Sequence, residues 1–398
     1  MMVSIGYLIL FGMLGNSLFK LFRLPGLIGM LVVGIAIGPQ GFNLLSDALL
    51  MVSGDIRKIA LIIILLRAGL GLNRQAIQRI GKVAVTMSII PVLAEGLVIL
   101  GLAIVLLEFT FIQAGMLGFV VAAVSPAVIV PSMLRFIREK IGMKRNVPVL
   151  VLASASIDDV IAITMFSMFL SAALTQTSLA YFDVLMLPAA IILGILLGII
   201  VGLFLAGIFK KFRIRDSKKV LILISVGIMM VSFTELIEDY IFIASLLGVM
   251  TLGLVIVERR SAVAARLAIK FDKVWVLAEL FLFVLVGAVV DIEIALSVGL
   301  TGLVMIFIGL LARAAGVYIA TLRTDYVWRE KVFLCVAFVP KATVQAAIGS
   351  LPLMLGIAGG EIILAISVLA ILVTAPLGAI LIQFGEHTLL DKEEVLAE

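Results

Sequence analysis

Two adjacent aspartates, Asp158 and Asp159, lie inside an apolar stretch, and Glu95, Arg313 and Lys341 sit comparably deep in apolar stretches of their own. A charge at the centre of a bilayer costs about 2.5–3.5 kcal/mol even on the most lenient insertion scale, so each asks for a partner or a role. The five charges together leave a net minus one, which one bound cation or proton would neutralise. Neighbours on a helix point about 100° apart, so the two aspartates cannot share one direction. A carboxylate that is desolvated, flanked by another and reachable by water is a place where protons compete with a hard monovalent cation. A single site that holds either ligand, in a protein that changes sides only when loaded, is the physical basis of exchange. Oxygen donors for a shell suited to sodium or lithium lie close in sequence: the carbonyls of Val124 and Ser125 and the hydroxyls of Ser125 and Ser154.

Other readings of the aspartate pair are a structural cluster satisfied by Arg313 and Lys341, and an intramembrane aspartyl protease. The protease needs its aspartates on separate facing helices, and here they are neighbours. At about 1.5 Å per residue, the five charges lie roughly 12–18 Å from the basic ends of their helices, in one layer of a hydrocarbon core about 30 Å thick. Glu95 and Lys341, opposite in sign within that layer, are expected to pair. Arg67 and Glu279, about 8 Å from the basic side, are within snorkelling reach. The one cysteine, Cys335, lies in an apolar segment, and the one histidine, His387, follows the last. They support no disulfide, zinc site or Ser-His chemistry, so no cofactor and no enzyme is expected.

The elements that must position these charges are membrane helices. Of 398 residues, 64% are hydrophobic and 14% charged, against about 25% charged in a soluble domain; the mean hydropathy is +1.32. The first apolar stretch is read as a span, because it has no basic residues before it and no small-residue cleavage site after it. Hydropathy gives about thirteen candidate helices, roughly 3–19, 25–40, 56–72, 83–107, 112–134, 147–173, 184–208, 220–234, 240–257, 274–290, 297–322, 332–354 and 361–384. Apart from Arg57, Lys58, Arg67, Arg313, Lys341 and Lys392, all of the 30 basic residues fall in alternate loops. That bias predicts an N-terminus outside and a C-terminus in the cytoplasm, in a cell inner (plasma) membrane. It accounts for the net charge of +5 without nucleic acid, and points to anionic lipid at the inner loops. Arg57 and Lys58 fall at the outer end of the third span. Glu235, Glu238, Asp239, Asp291, Glu293 and Glu361 crowd the outer loops, and 258–273 reads as a long, amphipathic inner connector.

Thirteen spans divide as six, one and six, and two six-helix units separated by one span enter from opposite sides, as inverted repeats do. The fifth span of each half carries prolines beside polar residues: Ser125-Pro126 to Pro131 in the first, Pro340-Lys341-Ala342-Thr343 to Gln345 in the second, with Pro352 beyond. Proline removes an N–H and clashes with the turn before it, so both helices are expected to break near mid-membrane, where they line a cavity.

Asp158-Asp159 after Ala153-Ser154-Ala155-Ser156-Ile157, and Leu24-Pro25-Gly26 through Gly34 to Pro39, resemble motifs of the monovalent cation:proton antiporter superfamily, second division. Leu66-Arg67-Ala68-Gly69-Leu70 and Pro340-Lys341-Ala342-Thr343-Val344-Gln345-Ala346-Ala347 are similar to its NHA-type sodium/proton antiporters. The resemblance spans essentially the whole chain. It implies an all-α, NhaA-like fold with two crossed discontinuous helices, and a homodimer whose core, roughly 83–173 and 297–385, moves like an elevator. The core would move against a dimerisation domain of roughly 1–72 and 220–290, joined by a linker helix near 184–208. It also implies that Asp159 is the main ion ligand and that Asp158 faces Arg313. The best-known double-aspartate relatives have lysine at that place, and an arginine does not deprotonate. One-for-one, electroneutral exchange of sodium or lithium for protons is therefore expected. Potassium/proton exchange and a sodium-coupled organic-anion symporter of the same architecture are the alternatives.

Overall fold

The computed structural model describes residues 1–398 apart from 23, 72–73, 176–180, 238–240, 242 and 392–398; for 74–82, 127, 156, 175, 181–188 and 191 only the backbone is described. Of the sequence expectations, Arg23, Glu238, Asp239 and Lys392 lie outside the described residues, as do the side chains of Arg74, Arg79 and Lys82. Among the described residues the fold is helical with no strand: α1 (Met2–Leu21), α2 (Gly26–Ile37), α3 (Asp47–Met51), α4 (Ser53–Gly71), α5 (Arg74–Leu107), α6 (Phe111–Ala122), α7 (Pro126–Arg138), α8 (Val147–Thr175), α9 (Tyr181–Lys211), α10 (Asp216–Leu236), α11 (Ser245–Arg259), α12 (Ser261–Ala288), α13 (Ile292–Ser297), α14 (Gly299–Thr321), α15 (Trp328–Ala337), α16 (Thr343–Ile348), α17 (Leu351–Met354) and α18 (Gly360–Thr388). Seven of these are long and apolar enough to cross a bilayer. Exposed apolar side chains such as Leu196, Ile200 and Phe204 on α9 and Leu303, Phe307 and Leu311 on α14 face outward, as lipid requires.

The helices group into two bundles. In one, α5, α6, α7, α8, α14, α15 and α18 pack on one another; in the other, α2 lies between α1 and α12, and α4 packs on α11 and α12. The second bundle is closed by backbone approach. A Cβ at Gly29 would lie 2.1 Å from the Gly15 carbonyl oxygen, so only glycine lets α1 and α2 come so near. In the same way α9 rests on α11, where a Cβ at Gly198 would be 2.3 Å from the Gly248 oxygen.

Both expected breaks are present. A capping box between Thr110 and Gln113 starts α6. It ends at Ala122, and 123–125 run extended until Pro126 opens α7 at the position where a missing N–H costs nothing. Pro131, expected to share in the break, lies inside α7. On the other side α15 stops at Ala337, Pro340 lies in the gap, and α16 begins at Thr343. The two extended segments cross and are tied to each other: Ser125 N–H donates to Pro340 O at 2.8 Å. Pro340 is seated on Gly378 of α18, and Thr374 Oγ1 accepts from Lys341 N–H at 2.9 Å.

Two expectations need correction. The 258–273 stretch is not a connector: α12 begins at Ser261, and Arg260 alone separates it from α11. Its Ala264, Leu267 and Phe271 are buried, so this basic segment has an apolar face with helical spacing and runs on into the rest of α12. Arg57 is not a solvated loop residue either; its side chain is 1% exposed. Arg67, within snorkelling reach, pairs with Asp272 at 2.6 Å. The surface ion pairs sort by side. Arg67–Asp272, Arg266–Asp216, Arg145–Glu330 and Arg135–Glu386 join residues from one set of alternate ends, and Lys58–Glu235 joins residues from the other.

Candidate functional site

The site is the crossing of the two broken helices and the face of α8 beside it. Breaking α6 leaves its last carbonyls without helical partners, and in a dry interior each needs a donor. Gln345 Nε2 donates to Val120 O and Ala123 O at 2.8 Å each and to Val121 O at 3.3 Å. Lys341 Nζ donates to Ala122 O at 3.0 Å, and Arg313 donates to the same oxygen. Three polar side chains, from α14 and the second broken helix, thereby close the end of the first.

The same cations hold the carboxylates. Lys341 Nζ lies 2.6 Å from Glu95 Oε2, the expected pair. Arg313 Nε donates to that same Glu95 oxygen, and Arg313 Nη1 donates to Asp158 Oδ1 at 3.0 Å. Asp158 Oδ2 accepts from Val124 N–H at 3.1 Å. Arg313 thus spans two acids as well as a carbonyl, which the one-to-one pairing expected from sequence did not include. A planar fork with five donors makes this possible where a lysine could not. All four of these side chains are buried.

Asp159 stands apart. It has no ion pair among the described residues, its Oδ1 has no hydrogen-bond partner, and it is 6% exposed. It lines a cavity of about 10 Å³ together with Leu61, Ile64, Leu65 and Ala68 of α4, Pro126, Ile163, Thr343 and Val344. That is room for one water-sized species. A vestibule of about 380 Å³ shares the walls Leu61 and Ile163 and reaches Asp55, Lys58, Glu235 and Ser245.

Of the oxygen donors expected from sequence, Val124, Ser125 and Ser154 do not wall this cavity. Ser125 stands one step behind it, its Oγ 3.5 Å from Thr343 Oγ1, and its carbonyl accepts from Val128 and Ile129 N–H at 3.3 Å each. Ser154 Oγ donates to Ala84 O on α5 at 3.3 Å. Thr343 is the donor that sequence reading missed; the signal was a hydroxyl in the first turn after a proline break.

With this geometry in view, the comparisons with known proteins are specific. Residues 6–384 match the family described as sodium/hydrogen exchanger, transmembrane. The chain is 32% identical to sodium/hydrogen exchanger 9B2 of Homo sapiens over 417 aligned positions, covering 98% of this chain and 75% of that one. It is 29% identical to sodium/hydrogen exchanger 9B1 of Homo sapiens, covering 92% and 74%. Among solved structures, the sodium proton antiporter MjNhaP1 of Methanocaldococcus jannaschii at pH 8 has a TM-score of 0.83 at 19% identity, covering 98% of this chain and 99% of that one. The chain belongs to the sodium/hydrogen exchanger family, whose members are multi-pass membrane transporters, not enzymes.

Proposed function

We propose that this protein exchanges one sodium or lithium ion for one proton at Asp159. The observation that carries the reading is the charge pairing of the buried cluster. Glu95 is held by Lys341 and Arg313, Asp158 by Arg313, and Asp159 by no cation among the described residues, so the net minus one of the cluster resides on the carboxylate that faces the cavity. A cation or a proton there neutralises the layer, and the two cannot bind together. Thr343, with Ser125 behind it, supplies further oxygen; Asp158 orders the unwound Val124 backbone.

Alternating access follows from how the bundles meet. The core of 83–173 and 297–385 pairs the charges of Glu95, Asp158, Arg313 and Lys341 within itself, and at the site it faces apolar residues of α4. Sliding such a core past such a wall breaks few hydrogen bonds, which favours an elevator motion against a scaffold of 1–72 and 220–290, with 184–208 as the link. The scaffold forms the homodimer interface. We place thirteen crossings in two inverted six-helix halves, N-terminus outside, in the plasma membrane, with anionic lipid at the basic loops. The vestibule then opens outward, since Asp55, Lys58 and Glu235 lie opposite the basic side. The room at Asp159 suits an ion and not an organic anion, which argues against the symporter; potassium is the competitor to exclude.

Proton flux driven by sodium, lithium or potassium in proteoliposomes, wild type against Asp159→Asn, tests the site. Loss of the sodium and lithium signals in the variant is expected, and unaltered flux would overturn the assignment.

A further inference from the structure

Arg57 is a buried charge to which the exchange cycle gives no task. It lies on α4, in the scaffold, with its guanidinium 1% exposed. Among the described residues no carboxylate lies within ion-pair distance of it. Its Nε donates to Ser53 O at 3.2 Å, and its terminal nitrogens meet the Ser53 hydroxyl, the Ser350 hydroxyl and the Met354 sulfur. Ser350 and Met354 belong to the core, so the contact bridges the two bundles. The packing there is close: a Cβ at Gly54 would lie 2.1 Å from the Met354 methyl carbon. Hydroxyls, a carbonyl and a thioether are weak compensation for a charge taken out of water.

Asp55, two residues away on α4, is exposed to water; the buried carboxylate with no ion pair among the described residues is Asp159. Arg57 precedes Ile64, a wall of the Asp159 cavity, by two turns of α4, roughly 10 Å. Opposite unit charges about 10 Å apart, at an effective protein dielectric constant of about 20, bias an equilibrium by roughly tenfold, and the effect falls as the separation grows. The bias exists while the site is empty and disappears when a cation or proton neutralises it.

We propose that Arg57 couples occupancy of the site to movement of the core. In the empty carrier, the negative field of the cluster supports the buried guanidinium, and the Ser350 and Met354 contacts hold the core against α4. Loading removes that support, so the core leaves Arg57 to water in the vestibule and travels. Arg57 is therefore the residue that keeps an empty carrier from crossing, a positioning role that rests on Asp159 being the exchanging site.

The experiment is radioactive sodium efflux from proteoliposomes at alkaline pH, into medium with and without sodium, read as the ratio of the two rates. Loss of folded protein lowers both rates and leaves the ratio alone. Wild type should show a high ratio, and Arg57→Gln a ratio roughly tenfold lower, because empty carriers now return. Arg57→Lys should recover most of it, and the double variant Ser350→Ala with Met354→Ala, which keeps the charge but removes its seat, should shift the ratio the same way as Arg57→Gln. A wild-type ratio in Arg57→Gln, or in the double variant if Arg57→Gln does not fold, overturns the inference. Asp159→Asn in the same assay separates the two ideas: if it still exchanges sodium, the site assignment falls as well, and if it is silent, only the role of Arg57 is lost.

Discussion

The two bundles are held together by different physics. In the scaffold and the link beside it, glycines on α1, α2, α9 and α11 bring backbones into contact, and the stabilising terms are dispersion and the exclusion of lipid. In the core, Glu95, Asp158, Arg313, Lys341 and Gln345 bind one another and the open end of α6. Close-packed helices resist deformation, which suits a support. A network whose charges pair with one another suits the proposed motion, because none of those ion pairs reaches the wall. Asp159 is the carboxylate of the cluster with no ion pair among the described residues, and that is the exception where an ion can act.

Substitutions can break or sharpen this contrast. The largest effect is expected from Asp159→Asn: sodium-driven proton flux in vesicles falls more than about 100-fold, while the melting temperature in detergent holds or rises because an uncompensated buried charge is gone. A parallel fall in melting temperature would mean that Asp159 is structural and that the core has no exception. Lys341→Ala strips Glu95 of one of its two cations and should cost about 3–5 kcal/mol, read as a lower melting temperature, with Glu95→Gln in the same background recovering part of the loss. In the scaffold, Gly29→Ala forces α1 from α2 and should cost about 1–3 kcal/mol with the KM for sodium unchanged; a moved KM would show that the bundles are less separate than drawn. The smallest expected effect is that of voltage. With Asp158 held by an arginine that keeps its proton, an imposed potential of about 100 mV should change the exchange rate less than about twofold. A steep response would return a second proton to the cycle.

Much of the arrangement was legible in the sequence because a bilayer leaves few choices. Apolar length and basic alternate loops locate the helices, and Pro126 and Pro340 mark the breaks that the structure places against each other. Glu95 opposite Lys341 followed from sign and depth alone. What was hidden depends on packing. Ala264, Leu267 and Phe271 bury one face of a basic segment, so a helix was read as a connector. That Met354 covers Arg57, at the outer end of its span, is likewise a matter of packing. Thr343 reaches the cavity, and Ser154 turns to Ala84, only because of how α16 and α8 are rotated about their axes. Depth can be counted from a sequence, but azimuth has to be seen.

The tie between the broken helices has a consequence for how such a sequence can change. Ser125 donates its backbone N–H and Pro340 accepts with its carbonyl, so the join does not depend on either side chain. At position 125 the residue that would break the join itself is proline, which has no N–H to give. Insertions and deletions are another matter. One residue gained or lost in 123–125 or 338–342 would carry the crossing out of register and drag Lys341, Thr343 and Gln345 with it. The join thus fixes the length of both segments, over and above what Lys341 and Ser125 do with their side chains.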